Sequence, residues 1–198
     1  MVYYDFISFD GNSYVATEVT VKANTRVESA GAITGWASTH HYAHLLGSRT
    51  ANTDSLDKFT IQIANNTDGG SSSQCVTAAI GDRTYFATGI NADFNVKYTI
   101  VADADSLTIN GNTFSVGASI VPGTYPFFLG NTNSGGSPLT AGQAFVGNIY
   151  ETKFYEDSTL VADLKPVINS DNQVGFYDTI SGSFYGNSGT GTLTAGND

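Results

Sequence analysis

Apolar and polar residues alternate with a period of two along most of the chain, and helical spacing is nearly absent, which predicts an all-β protein. The predicted strands are Tyr3 to Phe9, Tyr14 to Lys22, Arg26 to Thr34, Phe59 to Ala64, Gln74 to Ile80 and Thr84 to Ala87, followed by Lys97 to Ala102, Ser106 to Asn110, Thr113 to Val116, Phe127 to Gly130, Ala144 to Tyr155 and Phe184 to Gly186. Turn residues punctuate them at Asp10-Gly11-Asn12, Asp68-Gly69-Gly70, Gly81-Asp82, Asn110-Gly111-Asn112 and Ser181-Gly182, where Gly, Asn or Asp supplies the positive φ that tight turns require. In Ser106 to Val116, Leu107, Ile109, Phe114 and Val116 fall on one face across an Asn-Gly turn, the signature of a hairpin with one buried side. Ser38 to Leu46 is too short to stand as a helix and reads as a loop, as does Gly130 to Gly136. Asp157-Ser158 reverses the chain, and Leu160 to Pro166 is expected to leave the sheet. Short strands at this regular spacing predict a sandwich or a jelly roll. No linker or internal repeat divides it, so residues 1–198 are expected to form a single jelly-roll domain.

Composition narrows the function classes. A chain of 198 residues buries roughly 70% of its unfolded surface in one core and needs no covalent staple. The lone Cys75, inside the apolar run to Ile80, has no disulfide partner and is expected to be a small buried hydrophobe made in a reducing compartment. No basic segment followed by an apolar run opens the chain, and no apolar stretch approaches the ~20 residues that span a bilayer, so neither a secretion signal nor a membrane partner is expected. Eight Lys and Arg against 18 Asp and Glu give a net charge of -10 with the basic residues scattered singly, which argues against nucleic acid.

Candidate chemistry is sparse. A strand carrying acids at alternate positions would put them on one face for glycoside hydrolysis, but the acids spaced two apart are Asp103 and Asp105, in a predicted turn, and Glu18, Glu28, Glu151 and Glu156 are isolated. No catalytic residue is assigned. His40 and His44 have the spacing of a zinc-binding helix, yet position 41 is His where a metalloprotease needs Glu, and no metal or other cofactor is assigned. Gly130 to Gly136 lacks the Lys of a phosphate-binding loop. Aromatics remain. A sugar lays its C–H face on an exposed ring while amides and carboxylates bond its hydroxyls, and Trp36, with Tyr42 beside it, is the candidate ligand-binding pair, core packing being the alternative for Trp36. Phe59, Tyr98, Phe145, Phe154, Phe176 and Tyr177 sit in strand patterns and are assigned to packing.

Three stretches carry a family resemblance. Residues 147 to 196, with Gly147-Asn148-Ile149-Tyr150, Leu160-Val161-Ala162-Asp163, Gly175-Phe176-Tyr177-Asp178 and Phe184-Tyr185-Gly186-Asn187, resemble the end of a laminin-G-like, concanavalin A-like jelly roll of the branch found in phage virion proteins and bacterial surface proteins. Phe6 to Thr17 resembles that branch's first hairpin, and Leu46-Gly47-Ser48-Arg49 a landmark of its first third. Where many relatives carry Arg before the Asp of Leu-Val-x-Asp, this chain has Ala162. The resemblance implies a two-sheet antiparallel jelly-roll sandwich. Together with the acidic, disulfide-free composition, the missing signal peptide and the missing catalytic motif, it leads to the expectation of a non-enzymatic virion structural protein, a capsid decoration or head-fibre protein in multiple copies, made in the host cytoplasm and located in the virion. Its partners would be other capsid or tail proteins. The alternative is a carbohydrate-binding adhesion or tail receptor-binding module whose partners are host or mucosal glycans. An endoglycanase is the third reading, requiring two carboxylates that converge in space.

Overall fold

A computed structural model describes residues 1–37, 42–51, 55–64 and 74–198, with the backbone alone at 85–89 and 141. His40, His41 and the turn at Asp68-Gly69-Gly70 lie outside the described residues. In chain order the strands are β1 (Val2–Tyr3), β2 (Phe6–Asp10), β3 (Val15–Thr20), β4 (Thr25–Trp36), β5 (Tyr42–Arg49), β6 (Phe59–Ala64), β7 (Cys75–Ile80), β8 (Arg83–Asn91) and β9 (Tyr98–Ala102). They continue as β10 (Ser106–Ile109), β11 (Asn112–Ser115), β12 (Pro126–Leu129), β13 (Thr132–Ser134), β14 (Ser137–Pro138), β15 (Phe145–Glu156), β16 (Thr159–Ile168), β17 (Val174–Asp178), β18 (Phe184–Gly186) and β19 (Leu193–Gly196). Two sheets result, and the fold is the expected all-β jelly-roll sandwich.

The 11-stranded sheet runs β11-β10-β9-β4-β15-β16-β17-β18, and β15 organises it. One edge of β15 pairs with β4 from Phe145↔Trp36 to Glu156↔Thr25. Its other edge takes β2 along the first half, at Val146↔Asp10 to Ile149↔Ile7, and β16 along the second, at Thr152↔Leu164 to Glu156↔Thr159. β19 extends β2, and β1 continues the line against the end of β16. The 8-stranded sheet has β5, β6, β7 and β8 in sequence, with β12 joining β5 to β3 and the β13–β14 hairpin lying parallel to the end of β5. Phe127 of this sheet meets Phe59 beside it at a ring centroid separation of 5.6 Å and Phe154 of the other sheet at 4.9 Å, so the two layers are joined through fully buried rings.

Four local expectations are corrected. Leu160 to Pro166 does not leave the sheet; it is the middle of β16. Pro166 is tolerated there because its carbonyl accepts from Tyr4 N at 3.0 Å, so its nitrogen faces the same edge, at the junction where β15 gives way to β1 and no ladder bond is demanded of it. The segment read as a loop through Leu46 contains β5, whose alternation is broken by a bulge between His44 and Leu46 that leaves Leu45 and Leu46 both buried. Within the loop read at Gly130 to Gly136, Thr132–Ser134 is the strand β13. Phe6 to Thr17 is not a hairpin either: β2 belongs to one sheet and β3 to the other, and Gly11 at φ +86 carries the chain between layers. The hairpin at β10–β11 is as expected, with Asn110 and Gly111 both at positive φ and Leu107 and Ile109 fully buried.

Candidate functional site

In β4, β9, β15 and β16 every second side chain leaves the core and stands on the outer face of the larger sheet. Arg26 and Glu28 stand there from β4, Glu151, Lys153 and Tyr155 from β15, Asp163 and Lys165 from β16, Thr99 from β9 and Lys97 just before it. Four of the eight Lys and Arg of the chain, Arg26, Lys97, Lys153 and Lys165, thus gather on one face although the sequence scatters them. Cross-strand register makes the pairs: Lys153 lies opposite Glu28, and Tyr155 opposite Arg26.

These side chains form two linked groups. The Arg26 guanidinium pairs with Glu28 and sits 4.8 Å from the centroid of the Tyr155 ring, while Tyr155 Oη donates to Glu28 Oε2 at 3.1 Å. Burial and that acceptor push the Tyr155 hydroxyl up from its ordinary pKa. Beside it, the ammonium groups of Lys153 and Lys165 both converge on Glu151 Oε1, and Lys165 also lies 3.3 Å from Asp163 Oδ1. Partial burial alone would raise the Glu151 carboxyl, but the two lysines overcome it and hold it below the usual carboxylate range.

At one end of this face Tyr150 lies down on the sheet. Ala30 and Ala32 are small enough to let its ring pack flat, Phe6 closes the other side with centroids 5.5 Å apart, and Tyr150 is 6% exposed. Its hydroxyl donates to Asp198 Oδ1 at 2.8 Å, and Lys97 Nζ stands 3.6 Å from the ring centroid. Burial first, and then Asp198, push the Tyr150 pKa up to about 12. Between Tyr150, Lys97, Thr99, Glu28, Glu151 and Lys153 the surface dips into an open depression of about 320 Å³. It holds acceptors, ammonium donors and a hydroxyl within one small area.

Two other depressions are built from groups already committed to the fold. In one of about 280 Å³, Asp178 accepts from Asp163 N, Ile180 N and Ser181 Oγ. In another of about 490 Å³, Asn187 donates to Gly191 O and accepts from Gly189 N, and the Phe184 ring packs over Gly175.

The residues singled out from sequence lie elsewhere. Trp36 ends β4, eight residues from Glu28 and roughly 25 Å away at the usual strand rise. It is half-buried and meets Phe94 edge-on, at 6.3 Å and 71°, with Phe94 42% exposed. Tyr42 is half-buried at the start of β5 in the other sheet. His44 is buried, its Nδ1 2.9 Å from Thr132 Oγ1, and desolvation with the nearby Arg49 charge lowers its pKa to about 3. It is a neutral core residue, neither solvated nor turned outward. Asp103 does the turn chemistry expected of it, its Oδ1 accepting from Asp105 N at 2.9 Å and Ser106 N at 2.7 Å. Cys75 is buried at 2% exposure, and burial pushes its thiol pKa up. Among the described residues no cluster of three or more His, Cys, Asp or Glu side chains is placed to hold a metal ion.

The outer-face charges were missed because each is unremarkable in its own strand. Arg26-x-Glu28, Glu151-x-Lys153-x-Tyr155 and Asp163-x-Lys165 do carry a signal, a charge or hydroxyl at every second position of a strand, but only the register shows that the three runs are neighbours.

No family model matches the chain, and no curated protein does. Solved structures do. A protein of Bacteroides ovatus ATCC 8483 assigned to carbohydrate binding aligns with a TM-score of 0.65 at 12% identity over 99% of this chain, which spans 61% of that one. The native heptameric SAP-like pentraxin of Limulus polyphemus aligns with a TM-score of 0.56 at 13% identity, over 81% of this chain and 79% of that one. The architecture is therefore the jelly-roll sandwich that these structures share, in agreement with the order of the two sheets.

Proposed function

We propose that the protein is a non-catalytic glycan-binding module and that the outer face of the larger sheet, at Glu28, Thr99, Glu151 and Lys153, receives the sugar. The observation that carries this reading is the 320 Å³ depression in which carboxyl groups, ammonium groups and a hydroxyl stand together on a sheet. Sugar hydroxyls both donate and accept, so they pair with such a mixed set, and a site carried on strands needs little ordering when ligand arrives. The carbohydrate binding assigned to the Bacteroides protein of the same fold agrees with it.

Binding without turnover is supported by the state of Glu151. Glycoside hydrolysis needs one carboxyl held protonated near neutral pH, and Lys153 and Lys165 pull Glu151 the opposite way. The test is a glycan array read with the wild-type protein and with Glu28→Gln, Lys153→Ala and Trp36→Ala. We expect a sugar ligand whose binding falls at least about tenfold in the first two variants, the loss of one charged hydrogen-bonding group, and persists in the third. Loss in Trp36→Ala alone would move the site to the Trp36–Phe94 rim, with Tyr42 as a further contact; binding to no glycan would refute the reading.

A place on a virus particle, as a decoration of the capsid or a part of the tail in many copies, is a separate proposal supported by the sequence resemblance. Co-sedimentation of the purified protein with assembled particles tests it, and failure to sediment with them counts against it.

A further inference from the structure

Asp198 puts a carboxylate where two donors of the candidate face converge. Tyr150 Oη donates to its Oδ1 at 2.8 Å and Lys97 Nζ to its Oδ2 at 3.4 Å, while its backbone N donates to Asp5 Oδ2 at 3.0 Å. The tyrosine donor is fixed, and the Lys97–Asp198 pair beside it is not. Tyr150 is 6% exposed and wedged against Ala30, Ala32 and Phe6, so its hydroxyl has one direction available. The Asp198 side chain is 54% exposed and that of Lys97 is 45% exposed. A pair so open to water is held weakly and is readily exchanged for another carboxylate. Both donors also line the 320 Å³ depression, so a carboxylate held there would have its own molecule lying toward Thr99, Glu28 and Glu151.

The geometry points to Tyr150 and Lys97 as a carboxylate subsite in which Asp198 is an internal stand-in, and to a glycan bearing uronic-acid-type carboxylates as the ligand that displaces it. The inference rests on the glycan-binding reading and names its ligand class. Two features suit an acidic sugar over a bare carboxylate. The neutral tyrosine hydroxyl and the lysine each take one of the two carboxylate oxygens. The adjoining acceptors Glu28 and Glu151 suit ring hydroxyls and would repel a second negative charge. The site thus favours one carboxylate flanked by hydroxyls.

The test compares methyl glucuronoside with methyl glucoside, which differ at the carboxylate, by following the amide NMR signals of wild-type protein, Asp198→Ala, Lys97→Ala and Tyr150→Phe. A charge control, Asp105→Asn, removes one acid on the turn between β9 and β10. The glucuronoside should shift signals around residues 97–99, 150 and 198, bind about two- to fivefold more tightly to Asp198→Ala, as expected for release of a weak exposed pair, and lose most of its binding in Lys97→Ala and Tyr150→Phe. Asp105→Asn should leave it unchanged. Equal binding of the two glycosides, equal tightening by Asp105→Asn, acetate matching the glucuronoside, or no shift at these residues would each overturn the inference. With any of these results, a neutral sugar captured on the glycan array would leave the glycan-binding reading standing, whereas an empty array would remove that reading itself.

Discussion

His44 gives the sharpest thermodynamic test of the core. Its imidazole is buried against Thr132, and desolvation, aided by Arg49, lowers its pKa to about 3 from 6.5. The folded pKa lies below the unfolded one, so on acidification the unfolded chain takes up the proton first. The stabilisation is fully present above pH 6.5 and is lost as pH falls toward 3. Linkage over the two values gives a loss of about 3 kcal/mol between pH 7 and pH 4, with a limiting slope of about 1.4 kcal/mol per pH unit. Urea unfolding at half-unit pH intervals reads this as a fall in midpoint of about 1 to 1.5 M, for an m-value of about 2 to 3 kcal/mol/M. Asp10, Asp57 and Asp178, whose carboxyls are held low by hydrogen bonds that outweigh burial, also lose stabilisation as pH falls, but only below the ordinary carboxylate range near 4. The window from pH 6.5 to 4.5 therefore isolates histidine. Subtracting the His44→Gln profile removes the contribution of His40 and His41, and the difference should carry the slope. Parallel profiles for wild type and variant, or a His44 ring signal that titrates near pH 6.5, would refute the argument.

Four further outcomes follow from packing and backbone geometry. Gly147 sits at φ +154 at a bulge of β15, and a Cβ there would lie 2.2 Å from the carbonyl oxygen of Ala32, so Gly147→Ala should cost about 2 to 4 kcal/mol. Gly111→Ala, at φ +82 with nothing within 4 Å, should cost only the left-handed penalty of about 1 to 2 kcal/mol in the same denaturation assay, and equal costs would mean that contact plays no part. Phe127→Ala removes the ring that joins Phe59 to Phe154 and should cost about 3 to 5 kcal/mol by calorimetry or urea unfolding, with a cost under about 1 kcal/mol contradicting its place between the sheets. The Cys75 thiol, buried and shifted upward, should resist a thiol reagent until denaturant is added, and rapid labelling of folded protein would contradict its burial.

The layers were legible from sequence because half-buried strands write their own period. β10 alternates throughout, β15 does so on either side of its break at Ile149 and Tyr150, and the Asn110-Gly111 turn announces its hairpin. Elements that escaped did so for local physical reasons. β5 is buried on both faces and bulged at its third residue, so it has no alternation to read. β16 carries Pro166, which sequence rules treat as a strand breaker, yet its missing donor falls where two partner strands meet end to end. The β2–β3 turn has the residues of a hairpin, and only the register reveals that its arms lie in different sheets. The aromatic assignments fared better: Phe59, Phe145, Phe154 and Phe176 are fully buried, since a large apolar ring at an inward strand position has one favourable destination.

The candidate site was illegible for a different reason, and that reason bears on its meaning. The chain carries only 13% charged residues, yet Arg26, Lys97, Lys153 and Lys165 stand with Glu28, Glu151, Asp163 and Asp198 on one sheet face. Stability does not account for that concentration. Apart from Asp163, these side chains remain between 28% and 54% exposed, and ion pairs so open to water contribute little to folding. The same face could be covered by the Ser, Thr and Asn that supply most of the chain's polar surface, at no loss to the sandwich beneath it. What a web of paired charges adds, and hydroxyls alone do not, is a set of strong donors and acceptors held in register by cross-strand neighbours before any ligand arrives. Preorganised charge is what discriminates one polar ligand from another. Neutralising it by Glu28→Gln or Lys153→Ala should accordingly leave the unfolding midpoint nearly unchanged while abolishing recognition, and a midpoint that falls in step with binding would return these residues to a structural role.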